Sequence, residues 1–253
     1  MLKHRIMPIL LFKEVGLVKG VGFDSWRRVG TAMQAVKVYN MRQVDELVFL
    51  DIAATPGGAA PDFQQIDELA DVCFMPMTVG GGVRSVGHVR ELLAVGADKV
   101  SLNTGAIENP GLIEEAAGRF GSQCVTISID VRREADGSVQ VMSHCGRQAT
   151  GLDPVVWARR VEALGAGEIL LGSVDRDGTM AGYDIEAVRA VADAVGVPVI
   201  ASGGAGSYEH MAEVIEVGGA DAVAAASIFH FTEMTPKGAK RFLGERGLPV
   251  RLS

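Results

Sequence analysis

Two stretches decide the fold of this chain. MPMTVGGGV at residues 75–83 is followed by GADKVSLNT at 96–104, and VPVIASGGA at 197–205 is followed by GADAVAAAS at 219–227. In each, a short β-rich run leads into a glycine cluster, an amphipathic segment follows, and a second strand-like run leads to a hydroxyl-bearing residue. The first pair of segments stands 122 residues apart and the second pair 123. DELVFLD (45–51) and GEILLGS (167–173) are also offset by 122. A near-constant offset close to half the chain length predicts two similar halves, roughly 1–122 and 123–253. All strand–helix units look somewhat alike, but three segments in one register are hard to reach by chance.

Outward from these segments the same alternation covers the chain. Strand-like runs lie at Arg5–Leu11, Glu46–Asp51, Met75–Val79, Lys99–Leu102, Cys124–Asp130, Glu168–Leu171, Val197–Ala201 and Ala222–Ala225. Helical patterns fall between them, as at Val86–Val95, Pro154–Leu164, Ile185–Val195 and Tyr208–Val217. Strands alternating with helices predict a parallel sheet, and right-handed crossovers over eight units close most simply into a single (β/α)8 TIM barrel. A barrel of this kind needs about 250 residues, and the chain has 253. The competing arrangement is an open doubly wound sheet. No linker or composition shift marks a second domain.

Composition narrows the function. Apolar residues make up 48% and charged residues 22%, which excludes a disordered chain. Glycine, at 32 of 253 residues, exceeds its usual share of roughly 7% and points to tight turns or close backbone approach to a ligand. The net charge of −7 gives no electrostatic footprint for nucleic acid or an anionic membrane. No apolar run reaches the ~18 residues of a spanning helix. The opening MLKHRIMPILLFKE does not read as a signal peptide. Cys73, Cys124 and Cys145 are odd in number and lack CxxC spacing, so reduced thiols in a cytoplasmic protein are expected. His4, His88, His144, His210 and His230 are scattered, and neither a metal site nor a cofactor is expected.

The candidate chemistry lies where the runs end. Gly80-Gly81-Gly82 follows the third run and is matched by Ser101 and Thr104 around the fourth. Gly203-Gly204 follows the seventh and is matched by Ser227 after the eighth. Glycine lets backbone N–H groups face a ligand, and barrels often hold a phosphate at the loops after their seventh and eighth strands. Two such clusters across one mouth imply a long bisphosphate ligand. The alternative is that glycine merely tightens these turns. Asp130, Asp51, Asp175 and Asp177 stand at or just after strand ends, where a carboxylate can serve as general acid or base or simply cap a loop. Lys19 falls in a long glycine-containing loop (13–30), either as a clamp on a mobile lid or as a solvated lysine. At the opposite end, Arg5, Glu46, Lys99 and Glu168 stand near the starts of the first, second, fourth and sixth runs with alternating sign. They form either a ring of ion pairs gating a passage or a solvated polar rim.

These residues resemble the cyclase subunit of imidazole glycerol phosphate synthase over essentially the whole chain. The resemblance is carried by DELVFLDI, TVGGGV, GADKVSLNT, ENPGLI, FGSQ, SID, GAGEILL, S-x-DRDGT, GYD, IASGGAG and AASIFHF. It implies a glutaminase partner docked on the amino-terminal face of the barrel and ammonia passing through to a bisphosphate substrate at the other face. It assigns Arg5, Glu46, Lys99 and Glu168 to a charged gate. It assigns the two glycine and hydroxyl clusters to two phosphate sites, and Asp130 to one of two acid–base aspartates. The other aspartate of the family ends the first strand. Here Ile9-Leu10-Leu11-Phe12-Lys13 puts Leu11 there, 119 residues before Asp130. Thr31 after Gly30 also departs from the family's Gly-Asp-Pro.

Losing one acid–base group costs typically 10²- to 10⁴-fold in rate. ILLFKEVGLVKGVGF, VYNMRQVDEL and CFMPMTVGGG resemble a diverged branch, the cyclase-like proteins that accompany amidotransferases of bacterial surface-polysaccharide biosynthesis. That resemblance implies a barrel conducting ammonia to a separate enzyme that amidates a nucleotide-linked sugar. A working cyclase of histidine biosynthesis is the alternative. A sugar-phosphate isomerase of the related half-barrel family is a third reading, disfavoured because such enzymes also use the first-strand aspartate.

Overall fold

A computed structural model of the chain describes residues 3–14 and 16–252. These residues form twelve strands: β1 (Arg5–Lys13), β2 (Gly16–Val21), β3 (Asp24–Gly30), β4 (Leu47–Asp51), β5 (Met77–Gly80), β6 (Lys99–Leu102), β7 (Val125–Arg133), β8 (Val139–Ser143), β9 (Gln148–Ala149), β10 (Glu168–Ser173), β11 (Val199–Ser202) and β12 (Ala222–Ala225). Eight of them pair in parallel in the order β1-β4-β5-β6-β7-β10-β11-β12, and β12 returns to β1. The sheet is therefore a closed (β/α)8 barrel, and the open doubly wound alternative is excluded. Each of the eight expected strand runs became one barrel strand.

Alternation along the strands divides the apolar residues into two cores. Val125, Ile127 and Ile129 of β7 point outward into the layer between sheet and helices. Thr126, Ser128 and Asp130, between them, point to the axis. The inward set of the other strands includes Met7, Ile9, Val48, Leu170, Ile200, Ala222 and Ala224, which pack as a separate cluster inside the barrel. The interior has two kinds of wall. Thr78, Ser101, Thr126 and Ser128 of β5 to β7 present hydroxyls, whereas β10 to β12 and β1 present aliphatic groups.

Within the stretch 13–30, expected as a loop, residues 16–30 instead form the antiparallel hairpin β2–β3 on the end of β1. Its glycines serve close strand packing and not a flexible loop. At Gly20 a side chain would run into the Asp24 carbonyl and Trp26, so glycine there lets the two strands close up beside a register shift. A second antiparallel addition, β8 and β9, extends β7. Both additions sit on the carboxyl-terminal face, on strands that correspond in the two halves of the chain.

The helices after the two glycine loops begin alike. Ser85 accepts from His88 N–H and Ser207 from His210 N–H. In return each histidine Nδ1 faces the N–H of the residue before the cap, Arg84 or Gly206. These reciprocal caps occupy two of the scattered histidines. The final helix, Pro236–Glu245, is tied to β1 through the buried Lys240. Lys240 donates to Asp45 at 2.6 Å, and Asp45 accepts from Ile6 N–H at 2.9 Å. No helix among the described residues is long and apolar enough to cross a membrane.

Candidate functional site

At the carboxyl ends of the barrel strands two cavities of about 750 and 590 Å3 adjoin one another. Both are lined by Leu11, Phe23, Leu50, Ser128 and Asp130, which form a shared waist. The first cavity adds Asp51, Gly81, Gly82, Ser101 and Thr104. The second adds Lys19, Asp177, Gly203, Gly204 and Ser227. The fold thus gathers the mouth residues singled out in the sequence except Gly80, which stays within β5, and Asp175. That carboxylate accepts the N–H of Arg133 at 2.7 Å and works as a loop fastening.

Asp130 supplies the carboxyl of the waist. It accepts from Asn103 Nδ2 at 2.8 Å. Burial, followed by the nearby charge of Asp177, pushes its pKa up to about 7, although hydrogen bonds from Asn103 and Ser128 oppose the rise. A carboxyl with that proton affinity can both give and take a proton near neutrality. Leu11, at the corresponding position of β1, faces the same waist and offers only a methyl-bearing surface. Asp51 is also held above the ordinary carboxylate range by burial, against hydrogen bonds from the N–H groups of Ala53 and Ala54. The Cys145 thiol, on the wall of the first cavity, is pushed up to about 11 by burial and then by Asp130, so it stays protonated.

The glycine loops are shaped by close packing. Gly81 and Gly204 have φ of +109° and +104°, and a Cβ at either would strike a backbone carbonyl, that of Asp51 or Gly182. The tight-turn reading is therefore correct for both loops, and it brings the backbone against the cavities as well. Thr104 Oγ1 accepts from His144 N–H at 2.9 Å, which leaves its own proton to donate elsewhere. Ser227 Oγ is buried and has no hydrogen-bond partner among the described residues.

Lys19 is 2% exposed, so it is not a solvated lysine. Its ammonium donates to both oxygens of Asp177, at 2.5 and 2.7 Å. Gly22 N–H also bonds the Asp177 carbonyl at 2.9 Å. The hairpin is thereby fastened across the mouth to the loop after β10, and this brings Phe23 and Trp26 onto the cavity walls.

At the amino-terminal end, Arg5, Glu46, Lys99 and Glu168 form a closed ring. Arg5 bonds Glu46 at 2.7 Å and Glu168 at 2.9 Å, and Lys99 bonds each of the same carboxylates at 2.9 Å. Thr78 and Thr126 donate to the two carboxylates. The side chains of Glu46 and Glu168 are 4% and 8% exposed, against 25% and 19% for Arg5 and Lys99. Burial opposes the charges of Arg5 and Glu168, but their opposite partners outweigh it, raising the arginine and lowering the glutamate. A solvated rim is not what these residues form.

Phe23, Trp26, Asn103, Ser128 and Cys145 line the site without having been singled out. Asn103 and Ser128 lie inside quoted segments and were legible there. The aromatics arrive on the hairpin in the stretch expected as a loop, and Cys145 lies between β8 and β9, a segment for which the sequence carries no assigned element. The three cysteines are unpaired thiols. The family profile described as histidine biosynthesis protein matches residues 5–235.

Proposed function

Because this chain belongs to the histidine biosynthesis protein family, we propose that it is the cyclase-like synthase subunit of a glutamine amidotransferase complex. A glutaminase partner docks on the amino-terminal face and releases ammonia at the ion ring. The barrel conducts that ammonia to the mouth, and a separate enzyme uses it to amidate a nucleotide-linked sugar. The barrel's own ring-closing chemistry is impaired. The observation that carries this reading is the contrast between its two ends: the ring is complete, whereas the waist has Asp130 opposite Leu11.

Physical chemistry supports each step. The ring carries two charges of each sign, so it exerts little net field on a neutral molecule. Its carboxylates are anchored from below, and its cations reach solvent, so a docked partner can draw a cation aside. Exposed apolar groups on the same face offer anchors: Phe74 is 87% and Met41 77% exposed. Below the ring, an aliphatic wall disfavours ammonium, which must shed its hydration there, and admits neutral ammonia. The hydroxyls of Thr78, Ser101, Thr126 and Ser128 provide hydrogen-bond partners along the opposite wall.

The test is reconstitution with a glutaminase. Amide-¹⁵N of glutamine should reach the acceptor without exchanging with unlabelled ammonium in the buffer. The isolated chain, given ammonium salts and the bisphosphate substrate of the resembled cyclase, should turn over roughly 10²- to 10⁴-fold below a barrel bearing both aspartates. Robust turnover would favour the second reading, a working cyclase. One observation supports that alternative: Asp177 lies close enough to Asp130 to raise its proton affinity. Against it, both Asp177 oxygens are engaged by Lys19.

A further inference from the structure

The hairpin β2–β3 divides the mouth, and we infer that its outer surface docks the enzyme that takes up the ammonia, through a partner face that is acidic around an apolar socket. This rests on reading the barrel as a conduit for ammonia, and it names the surface at which the nitrogen is handed over.

The hairpin leaves β1 and crosses to the opposite side of the barrel. Its turn meets the loop after β10, where Gly22 N–H bonds the Asp177 carbonyl at 2.9 Å and Lys19 holds the Asp177 carboxylate. Gly178 packs so closely against it that a Cβ there would lie 2.9 Å from the Val21 Cα. Gly146, between β8 and β9, makes room for Phe23, whose ring would stand 3.0 Å from a Cβ at that position. In the barrel order β7 stands diametrically opposite β1, so these contacts turn the hairpin into a strap across the mouth. Phe23 lines both cavities, one on each side of the strap. A small neutral molecule that reaches the waist therefore has two ways out. The conduit keeps its cargo only when a second surface covers both.

The outer side of the strap suits that contact. Val21 is 54% exposed, and Met180, two residues beyond Gly178, is 37% exposed. Met180 holds φ at +56°, which side chains of its size seldom adopt. Thr179 fixes this turn by donating to the Arg176 carbonyl and accepting from Ala181 N–H. Around these apolar groups the charge is opposite to that of the whole chain. Residues 16–30, 144–147 and 174–180 carry five lysines and arginines against three aspartates, in a chain of net charge −7. Two of those aspartates are already engaged, Asp177 by Lys19 and Asp175 by the Arg133 N–H. Arg147 and Arg176 are exposed, and no carboxylate among the described residues pairs with either. A cationic rim around exposed aliphatic groups complements an acidic partner face, and it repels the same face of a second copy.

The test uses this chain in complex with its glutaminase, and the enzyme that amidates the nucleotide-linked sugar as the probe. Biolayer interferometry measures their affinity, and amide-¹⁵N retained in the product measures protection of the ammonia. Wild-type affinity should fall as salt is raised. Arg147→Glu/Arg176→Glu should weaken binding about tenfold or more and flatten that salt dependence, and Met180→Asp should weaken it by a similar factor. Retained label should drop in these variants while glutamine hydrolysis keeps its wild-type rate. Val38→Asp, at an equally exposed position on the helix Ala32–Met41, should change neither reading. No binding by the wild type, or affinity unchanged in the arginine and methionine variants, would overturn the docking surface. A dimer of this chain that Val21→Asp dissolves in sedimentation would give the surface to a second copy and overturn the inference as well. Binding that the variants weaken, with no ¹⁵N reaching the sugar even in the wild type, would uphold the surface and refute ammonia conduction. Protected ¹⁵N transfer that survives every variant would do the reverse.

Discussion

Asp130→Asn should make the protein more stable above neutral pH and leave it nearly unchanged in acid. The carboxyl's pKa is pushed from 3.8 to about 7 by burial and by Asp177. Between those values the unfolded chain has released the proton while the folded chain still holds it. Stability therefore falls as pH rises through this window and levels off above it. The full displacement corresponds to about 4 kcal/mol. The carboxyl borders a cavity that water can fill, so roughly half of that, about 2 kcal/mol, is the expected gap at about pH 8. Asparagine keeps an oxygen to accept from Asn103 and carries no charge. For a chain of this size the gap is a rise of about 4–8 °C in Tm, shrinking to within about 1 °C near pH 4.5. Thermal unfolding of both proteins at the two pH values measures it. A gap that is the same at both, or a variant that is less stable in base, would refute the buried, proton-retaining carboxyl and with it the acid–base role given to Asp130.

Leu11→Asp puts a second carboxyl at the waist. It should raise kcat for ammonia-dependent cyclisation by about tenfold or more. No gain in single-turnover rate would mean that more than one residue of the waist has diverged. Lys99→Met should release ammonia to solvent, so glutamine hydrolysis exceeds nitrogen transfer in a stoichiometric assay; unchanged coupling would remove Lys99 from the gate. Glu168 is held below the ordinary carboxylate range by Arg5 and Lys99 despite burial. Its stabilisation is present above the unfolded pKa and lost as pH falls through the folded one, and Glu168→Gln should abolish that acid-side loss in urea titrations. Lys240→Met strands the buried Asp45 carboxylate and should cost about 3 kcal/mol or more, read as a lower urea midpoint with an unchanged slope.

The sequence by itself determined the barrel. Strand length, helix period and the repeated offset from 75–104 to 197–227 are local signals, and eight such units have one simple closure. It also determined which residues stand at strand ends, because side-chain alternation fixes whether Asp130 or Ile129 faces the axis. The ring was half legible: alternating signs at Arg5, Glu46, Lys99 and Glu168 suggested pairing, but pairing depends on how the barrel radius sets distances between strands far apart in sequence. The hairpin was not legible, because glycines at 16, 20 and 22 mark a loop unless one knows that β3 lies against them. Only the tertiary structure decided that Lys19 is spent on Asp177, that Asp175 fastens a loop, and that Phe23 and Trp26 wall the first cavity. Those outcomes come from long-range packing across the mouth, where burial and neighbouring charge, rather than residue type, set what each group can do.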